Sequence, residues 1–497
     1  MICIPIISNN LADALHDMAE ASSIADLIEL RIDYIKNVDL KCLLERRTKP
    51  VIVTNRPVRE GGKFDGNEED RIALLKLAIQ LQADYVDIEH DSIQHLCRDT
   101  EHRVPTKIIV SYHNFRETPG DLTDIHKRLC QSGADIVKIV THANNITDNV
   151  RIYRILQQSR MPTISFCMGE LGIISRILYK RFGSYLTFAS LRAGKESAPG
   201  QIGIHELLNT YQARRPDKRS AIYGLIGNPV SHSISPIIHN TLFKEMNLNS
   251  IYVPFKVDNI GEFIKEFRGL DVKGYSVTIP HKESVVNHLD AIDPIAEKIG
   301  AVNTIVNKDG QLTGFNTDCE AAIKVLEGIN QASAKSLGNT YLKGKKVTIV
   351  GAGGAARAIA FGLKERQAQI TIINRNYERA QSLAGDVGCI AKKIDDPQAF
   401  DTDILINATP VGMFPKINET PIDRNKLKPN MIVFDTIYNP IETKLLNDAR
   451  TQGCIIVNGL SMFVHQAAAQ FKLWTGRMPS VEIIENIAYK YLAMEGD

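Results

Sequence analysis

Residues 345–357 read Lys-Lys-Val-Thr-Ile-Val-Gly-Ala-Gly-Gly-Ala-Ala-Arg: an apolar strand run, Val347–Val350, enters a glycine-rich turn and then a helix-forming stretch, Ala358 to Arg366. Glycine allows the backbone to approach a pyrophosphate, whose oxygens take the free N–H groups of the helix N-terminus. Strand, turn and helix in that order make Gly351, Ala352, Gly353, Gly354 and Ala355 candidate dinucleotide contacts, with Ala356 an accepted residue in the third slot. The next strand, beginning at Gln369, ends where an NAD enzyme offers a carboxylate to the ribose hydroxyls. Here stand Asn374 and Arg375, with Arg379 one turn into the following helix. Cations at that place suit the 2′-phosphate of NADP(H) and leave NAD without its partner.

Outward from this motif, the βαβ pattern continues to about Val457, which outlines a Rossmann domain over 343–460. Upstream, Gln331 to Lys343 is rich in Ser, Ala, Asn and Gly and reads as a surface connection. Residues 221–330 alternate strand-like runs (Ala221–Gly227, Ile251–Pro254, Gly274–Ile279 and Thr304–Asn307) with helical ones, a compact α/β lobe expected to be completed by helices in 461–497. Gln212 to Ser220 is polar and charged around Pro216, which marks a domain boundary. Before it, residues 1–212 hold eight β-rich runs separated by helical-period stretches: Ile2–Ile7, Asp26–Arg31, Pro50–Asn55, Asp84–Glu89, Lys107–Tyr112, Asp135–Val140, Pro162–Met168 and Tyr185–Ser190. Eight βα units in about 200 residues fit a small (β/α)8 TIM barrel better than an open sheet, because closure removes both edges. The expected fold class is α/β throughout.

The length of 497 residues agrees with about three domains at roughly 150 each. Hydrophobic residues at 44% and charged residues at 23% exclude a disordered or fibrous chain. Lys plus Arg at 59 against Asp plus Glu at 57 leaves a net charge of +2, short of the basic excess that nucleic-acid binding requires. Eight cysteines lie far apart, with no CxxC pair and no His at zinc spacing, so reduced thiols and no metal are expected. No apolar run reaches the roughly 18 residues that span a bilayer. Met1–Ile7 lacks the basic flank of a secretion signal, and a cytoplasmic protein with no membrane partner is expected. Nothing in the sequence specifies an oligomeric state.

In the second half, Gly227-Asn-Pro-Val-Ser-His-Ser-Ile-Ser-Pro236, Ser276-Val-Thr-Ile-Pro-His-Lys282, Gly300-Ala-Val-Asn-Thr304, Asn316-Thr-Asp318 and Asn407-Ala-Thr-Pro-Val-Gly-Met413 stand in order. Phe434-Asp-Thr-Ile-Tyr-Asn-Pro440 and Asn458-Gly-Leu-Ser-Met-Phe-Val-His-Gln466 follow. These segments resemble shikimate dehydrogenase, in its order and spacing, across 221–497. Such chemistry needs a hydride donor, groups that fix a polyhydroxylated cyclohexene acid, and a proton donor beside the carbonyl. Lys282 and Asp318 are the acid/base candidates; a random Lys–Asp pair is more often a surface salt bridge, and the motif context reverses that. The resemblance implies that Ser233 and Ser235 bind the substrate carboxylate and that Thr278, Asn303, Asp318 and Gln466 bind its hydroxyls. It adds Tyr438 to the site, and Thr409 and Gly459 to the cofactor contacts. Whether Lys282 donates the proton or orients the alcohol stays open. His232 and His281 read as packing or surface residues. Ser276 and Cys319 depart from the usual pattern, which bears on shikimate against quinate.

The first half carries Ile28-Glu-Leu-Arg-Ile-Asp33, Arg56-Pro-Val-Arg-Glu-Gly-Gly62, Ser111-Tyr-His-Asn-Phe115, Ala134-Asp-Ile-Val-Lys138, Met168-Gly-Glu-Leu-Gly-Ile-Ile-Ser-Arg176 and Ser197-Ala-Pro-Gly-Gln201. These resemble type I 3-dehydroquinate dehydratase over about 1–205. They cluster toward the C-terminal ends of the expected strands, the face where (β/α)8 sites lie. A strand lysine is by itself more often structural. A buried one with cations nearby titrates low and forms a Schiff base with a ketone, the electron sink for removing an α-proton. Lys138 is that candidate, and His113, on the neighbouring strand, is the proton shuttle. Glu60 is expected to hold the His113 ring. The resemblance implies that Arg176 clamps the substrate carboxylate, and that Glu29, Arg31, Arg56, Ser197 and Gln201 bind the remaining groups or close the loop. Asn55 departs from the expected apolar residue and is read as a packing change.

The resemblances together imply a bifunctional enzyme of the shikimate pathway. It dehydrates 3-dehydroquinate to 3-dehydroshikimate and reduces the product to shikimate with NADPH. The alternatives are a second half that prefers quinate or NAD, and a catalytically silent regulatory relative.

Overall fold

The computed structural model describes residues 1–96, 105–231, 233–331 and 341–494. Cys97, His232 and residues 332–340 of the expected connection lie outside them. The described chain forms two compact units: Met1–Ala221 with Asn247–Lys256 and Lys265–Leu270, and Ile222–Met246 with Val257–Ile264 and Asp271–Asp497.

The first unit contains β1 (Ile2–Ile6), β2 (Leu27–Arg31), β3 (Val51–Thr54), β4 (Tyr85–Glu89), β5 (Lys107–His113), β6 (Ile136–His142), β7 (Thr163–Met168) and β8 (Thr187–Phe188). They lie in one parallel sheet in the order β7-β6-β5-β4-β3-β2-β1-β8. Parallel strands covered on both faces read as continuous apolar runs, which is why Ile2-Cys-Ile-Pro-Ile6 is buried throughout. The ring is nearly closed. β8 has only two residues, and the β7 side reaches this segment through Tyr185 N–H to Thr163 O (2.8 Å) and Ser165 N–H to Ser184 Oγ (3.1 Å). Cys3, Leu27, Ile52, Ile109 and Ile164 pack with Phe166 and Phe188, so the barrel has a filled interior rather than a bore.

Further along the chain are β9 (Ala221–Gly227), β10 (Ser250–Lys256), β11 (Val272–Val277), β12 (Ala291–Ile292), β13 (Thr304–Lys308) and β14 (Gln311–Phe315). β9 pairs with β11 in parallel, and β11, β13 and β14 continue antiparallel. The sequence reading did not include β12 or β14. Its missed signal for β14 is Asp309-Gly310, both at positive φ (54° and 90°), the two-residue turn whose twist matches a hairpin. Helix Gly459–Thr475 lies across β11 and β13, where Gln470 bonds Ser276 and the Asn303 carbonyl and Trp474 Nε1 donates to Ile305 O.

The last sheet comprises β15 (Lys346–Val350), β16 (Gln369–Ile373), β17 (Ile390–Lys392), β18 (Ile404–Asn407), β19 (Ile432–Asp435) and β20 (Ile455–Val457), all parallel. Its order β17-β16-β15-β18-β19-β20 is the 3-2-1-4-5-6 order of dinucleotide-binding sheets, whose ligands lie outside the carboxyl ends of the strands where the order reverses. That place is occupied here by the turn after β15.

Candidate active sites

In the barrel, the strand ends converge on a recess that collects Glu29, Arg31, Arg56, Glu60, His113, Lys138, Arg176 and Ser197. β5 and β6 are neighbours as expected, with Ser111 opposite Lys138 and His113 opposite Val140. Lys138 and His113 therefore sit at successive levels of the wall. Lys138 Nζ donates to Asp87 Oδ2 at 2.8 Å, lies 3.6 Å from Glu29 Oε1, and rests over the Phe188 ring at 4.6 Å. Cations were expected around this lysine; its closest charged partners are these carboxylates, with Arg56 held on the other oxygen of Asp87 at 2.7 Å.

Arg56 also donates to Glu89 (2.6 Å) and Ser111 (2.7 Å), and Arg71 grips the other Glu89 oxygen at 2.5 Å. Burial alone would raise the Asp87 carboxyl, but Arg56 and Lys138 hold it well below the usual range. His113 is depressed well below an ordinary histidine, chiefly by burial and then by Arg56 and Lys138, so the ring is neutral. Its Nδ1 lies 2.9 Å from Glu60 Oε2, as expected. Burial pushes Glu60 up to about 8; Arg56 opposes this, and Glu89, Asp91 and Asp87 add to it. Burial thus works against charge on both groups.

Of the barrel arginines, Arg31 is engaged by Asp33 at 2.8 Å and Arg56 by Asp87 and Glu89. Arg176 differs. It is almost fully buried, its guanidinium lies over Phe166 at 4.2 Å, and its Nε and Nη2 have no hydrogen-bond partner among the described residues. Burial lowers it to about 10. A buried cation with unmet donors is a costly arrangement unless an anion completes it. Gln201 Oε1 accepts from Ser197 N–H (2.6 Å) and Oγ (3.1 Å), fastening the loop after β8. The sequence reading passed over Asp87, Glu89 and Arg71, and quoted Ser111 in its segment without giving it a role. Asn55 bonds Arg71 through its backbone carbonyl (3.0 Å), so it supports that arginine rather than facing the recess.

In the second unit, Lys282 Nζ donates to Asp318 Oδ2 at 2.5 Å, with Lys282 partly and Asp318 almost wholly buried. Asn303 is braced by Thr317, donating to its Oγ1 (2.9 Å) and accepting from its N–H (2.8 Å). Asn316 accepts from the N–H groups of Asp318 and Cys319 and so fixes the start of helix Asp318–Gln331. Ser233 Oγ accepts from Ser235 N–H (3.2 Å), Gln466 donates to Phe463 O (3.0 Å), and Tyr438 packs on Phe463 at 4.5 Å. Thr278 crowds Gly227, where an added Cβ would lie 2.4 Å from its Cγ2. Ser276 is buried against Gln470, and Cys319 packs in the core beside Ala358. His281 is buried with Nε2 2.6 Å from Val257 O, the packing role expected of it.

The turn after β15 fits a dinucleotide. Gly351 has φ +119°, and a Cβ there would stand 2.9 Å from Ala408 O. Helix Gly354–Glu365 begins without a side-chain cap, leaving its first N–H groups for a ligand. A Cβ on Gly354 would meet Lys282 Cβ at 2.9 Å, so this turn lies directly against the Lys282–Asp318 ion pair. Thr409 is held by Asn407, and a Cβ on Gly459 would meet Thr436 O at 2.3 Å. At the end of β16, Asn374 bonds Asn376 O, Arg375 is exposed, and Arg379 lies 3.5 Å from Ala352 O and 3.7 Å from Glu283. That cationic edge suits an added phosphate.

Among the described residues, no group of three His, Cys, Asp or Glu could hold a metal ion, and no helix is long and apolar enough to cross a membrane.

Comparison with known proteins bears on both halves of the chain. The type I 3-dehydroquinase model matches residues 2–218. The shikimate dehydrogenase substrate binding domain model matches 225–305, the shikimate / quinate 5-dehydrogenase model 332–445, and the shikimate 5'-dehydrogenase C-terminal domain model 459–489. The chloroplastic bifunctional 3-dehydroquinate dehydratase/shikimate dehydrogenase of Arabidopsis thaliana is 41% identical over 509 residues, covering 99% of this chain and 84% of its own. A shikimate dehydrogenase (NADP(+)) of Bacillus cereus strain B4264 is 40% identical, covering 54% of this chain and 98% of its own. A crystal structure of shikimate dehydrogenase in complex with NADP+ is 39% identical, covers 56% of this chain and 97% of its own, and has a TM-score of 0.51. With both halves matched in one relative, the chain belongs to the bifunctional 3-dehydroquinate dehydratase/shikimate dehydrogenase family.

Proposed function

We propose that Lys138 is the imine-forming residue of the dehydratase half and that Lys282 with Asp318 serves the NADPH-dependent reduction of 3-dehydroshikimate. The reading of the barrel rests above all on one observation: a buried lysine shares its recess with a buried arginine whose donors are unmet. Arg176 takes the substrate carboxylate, which sets the C3 ketone of 3-dehydroquinate before Lys138. Lys138 Nζ attacks that carbon, the oxygen leaves as water, and the imine draws electrons from C2 when its proton is removed. Neutral His113 is suited to accept and return protons, and protonates the hydroxyl leaving C1; Glu60 fixes its Nδ1 side. Hydrolysis of the imine releases 3-dehydroshikimate and restores Lys138.

In the second half, bound NADPH supplies the hydride. Ser233 and Ser235 hold the substrate carboxylate, Thr278, Asn303, Tyr438 and Gln466 surround the ring, and Lys282 faces the carbonyl oxygen. The contact of 2.5 Å with Asp318 keeps Lys282 aimed. Arg375 and Arg379 favour the 2′-phosphate, and Gly351 to Ala355 with Thr409 and Gly459 line the coenzyme path. The domain limits 1–212, 221–330 with 461–497, and 343–460 follow from this division of labour.

Borohydride added during turnover of 3-dehydroquinate tests the barrel assignment. The account expects a stable product adduct on the peptide bearing Lys138 and none in Lys138→Ala; an unmodified peptide in an active enzyme contradicts it. For the coenzyme, kcat/KM with NADPH should exceed that with NADH, and the ratio should fall in Arg375→Ala/Arg379→Ala.

A further inference from the structure

We propose that Asp435 is a positioning residue of the reductase site, whose ionised carboxylate holds together the loops that carry Thr409 and Tyr438. The inference rests on the roles given to those two residues above. Asp435 ends β19, is fully buried, and stands opposite Asn407, the last residue of β18. It accepts three hydrogen bonds: from Thr443 Oγ1 (2.6 Å), Asn407 Nδ2 (3.0 Å) and Ile437 N–H (3.1 Å). Asn407 Oδ1 in turn accepts from Thr409 N–H (3.0 Å) and Oγ1 (2.7 Å). The other connection runs through Ile437, directly before Tyr438, and the Ile437 carbonyl accepts the Gly459 N–H at 3.1 Å. Three residues of the reading above therefore stand within one or two hydrogen bonds of one buried carboxylate.

The donor pattern requires an acceptor at this position. Because Asn407 Oδ1 is committed to Thr409, its Nδ2 must face residue 435, and Thr443 Oγ1 already accepts from Leu446 N–H (3.3 Å). Oδ1 takes both Asn407 Nδ2 and Ile437 N–H and Oδ2 takes Thr443 Oγ1, so an amide that keeps its oxygen at the Oδ1 place turns its N–H on Thr443, whose own hydrogen then loses its acceptor. The elements packed on Asp435 present Asn407, Thr443 and backbone to it, and among the described residues no charged group shifts it. Burial raises it to about 6, against which the three donors act. Below that pH a proton on Oδ2 displaces the Thr443 hydrogen, and one on Oδ1 displaces Asn407 or Ile437, so the three donors are no longer all met.

The test uses the full chain, with 3-dehydroshikimate varied at saturating NADPH between pH 5 and 8. At pH 5 about one-tenth of Asp435 is ionised, so KM for 3-dehydroshikimate should rise about tenfold from its value at pH 8. In Asp435→Asn, KM should be raised by a similar factor at pH 8 and lack the inflection, while the dehydratase rate on 3-dehydroquinate is unchanged. Wild-type KM in that variant, or a raised KM that keeps the inflection, overturns the proposal. If Asp435→Asn does not fold, Thr443→Val, which removes one donor to the carboxylate, should move the inflection to higher pH; an unmoved inflection overturns the proposal. A wild-type chain that does not reduce 3-dehydroshikimate with NADPH would remove the reading beneath it as well.

Discussion

Arg176 and Glu60 each stand where burial works against their charge. Arg176 is buried with unmet donors, so Arg176→Met should raise KM for 3-dehydroquinate about a hundredfold or more while leaving the melting temperature unchanged or higher. A melting temperature lowered by several degrees with unchanged KM would make the arginine structural. Glu60 titrates at about 8 in the fold, above an ordinary carboxyl near 4.5. Its protonated form is therefore favoured by folding, and the stability it gives is complete below pH 4.5 and lost as pH rises through about 8, at most about 1.4 kcal/mol per unit. Chemical denaturation of Glu60→Gln should show a shallower decline than wild type across that interval. Lys138, His113, Glu60 and Arg176 were legible in the sequence because each stands in a distinctive short segment. Asp87 and Glu89 were not, although the run holding them was read correctly. A carboxylate on a strand shows its purpose only when the neighbouring strands bring Lys138, Arg56 and Arg71 onto it.

Among the elements, the turn after β15 stands against Lys282, so the coenzyme contacts proposed for it and the proton transfer proposed for Lys282 share one place. Gly354→Ala would place a methyl group 2.9 Å from Lys282 Cβ, so either the turn or the lysine must move. Reduction should fall at least tenfold in kcat/KM for NADPH, since small displacements of reacting groups cost this much. Dehydration by the same variant should be unaffected, and steady-state assays of both reactions check this. The motif was readable from sequence because strand, glycines and helix are contiguous. Its contact with Lys282 was not, since 72 positions separate Lys282 from Gly354 and only the fold closes that distance. The hairpin of β13 and β14 was missed for another reason: Gln311-Leu-Thr-Gly-Phe315 is short and weakly apolar, so its alternation was faint beside the Asp-Gly turn that announces it.

The whole molecule combines two compact units, each with its own lysine in a recess or beside a glycine turn. The eight barrel runs and the Rossmann series were visible as patterns of period and length, while the near-closure of the ring depends on a β8 of only two residues. If each unit carries its own chemistry, Lys138→Ala should abolish dehydration and leave reduction of supplied 3-dehydroshikimate intact, and Lys282→Ala should do the converse, with a loss of about a hundredfold or more in reduction. The most direct measurement is loss of NADPH absorbance when purified enzyme is given 3-dehydroquinate alone. The account predicts oxidation in the wild type, none in Lys138→Ala, and its return in that variant when 3-dehydroshikimate is supplied. Oxidation from 3-dehydroquinate that persists without Lys138 would contradict it.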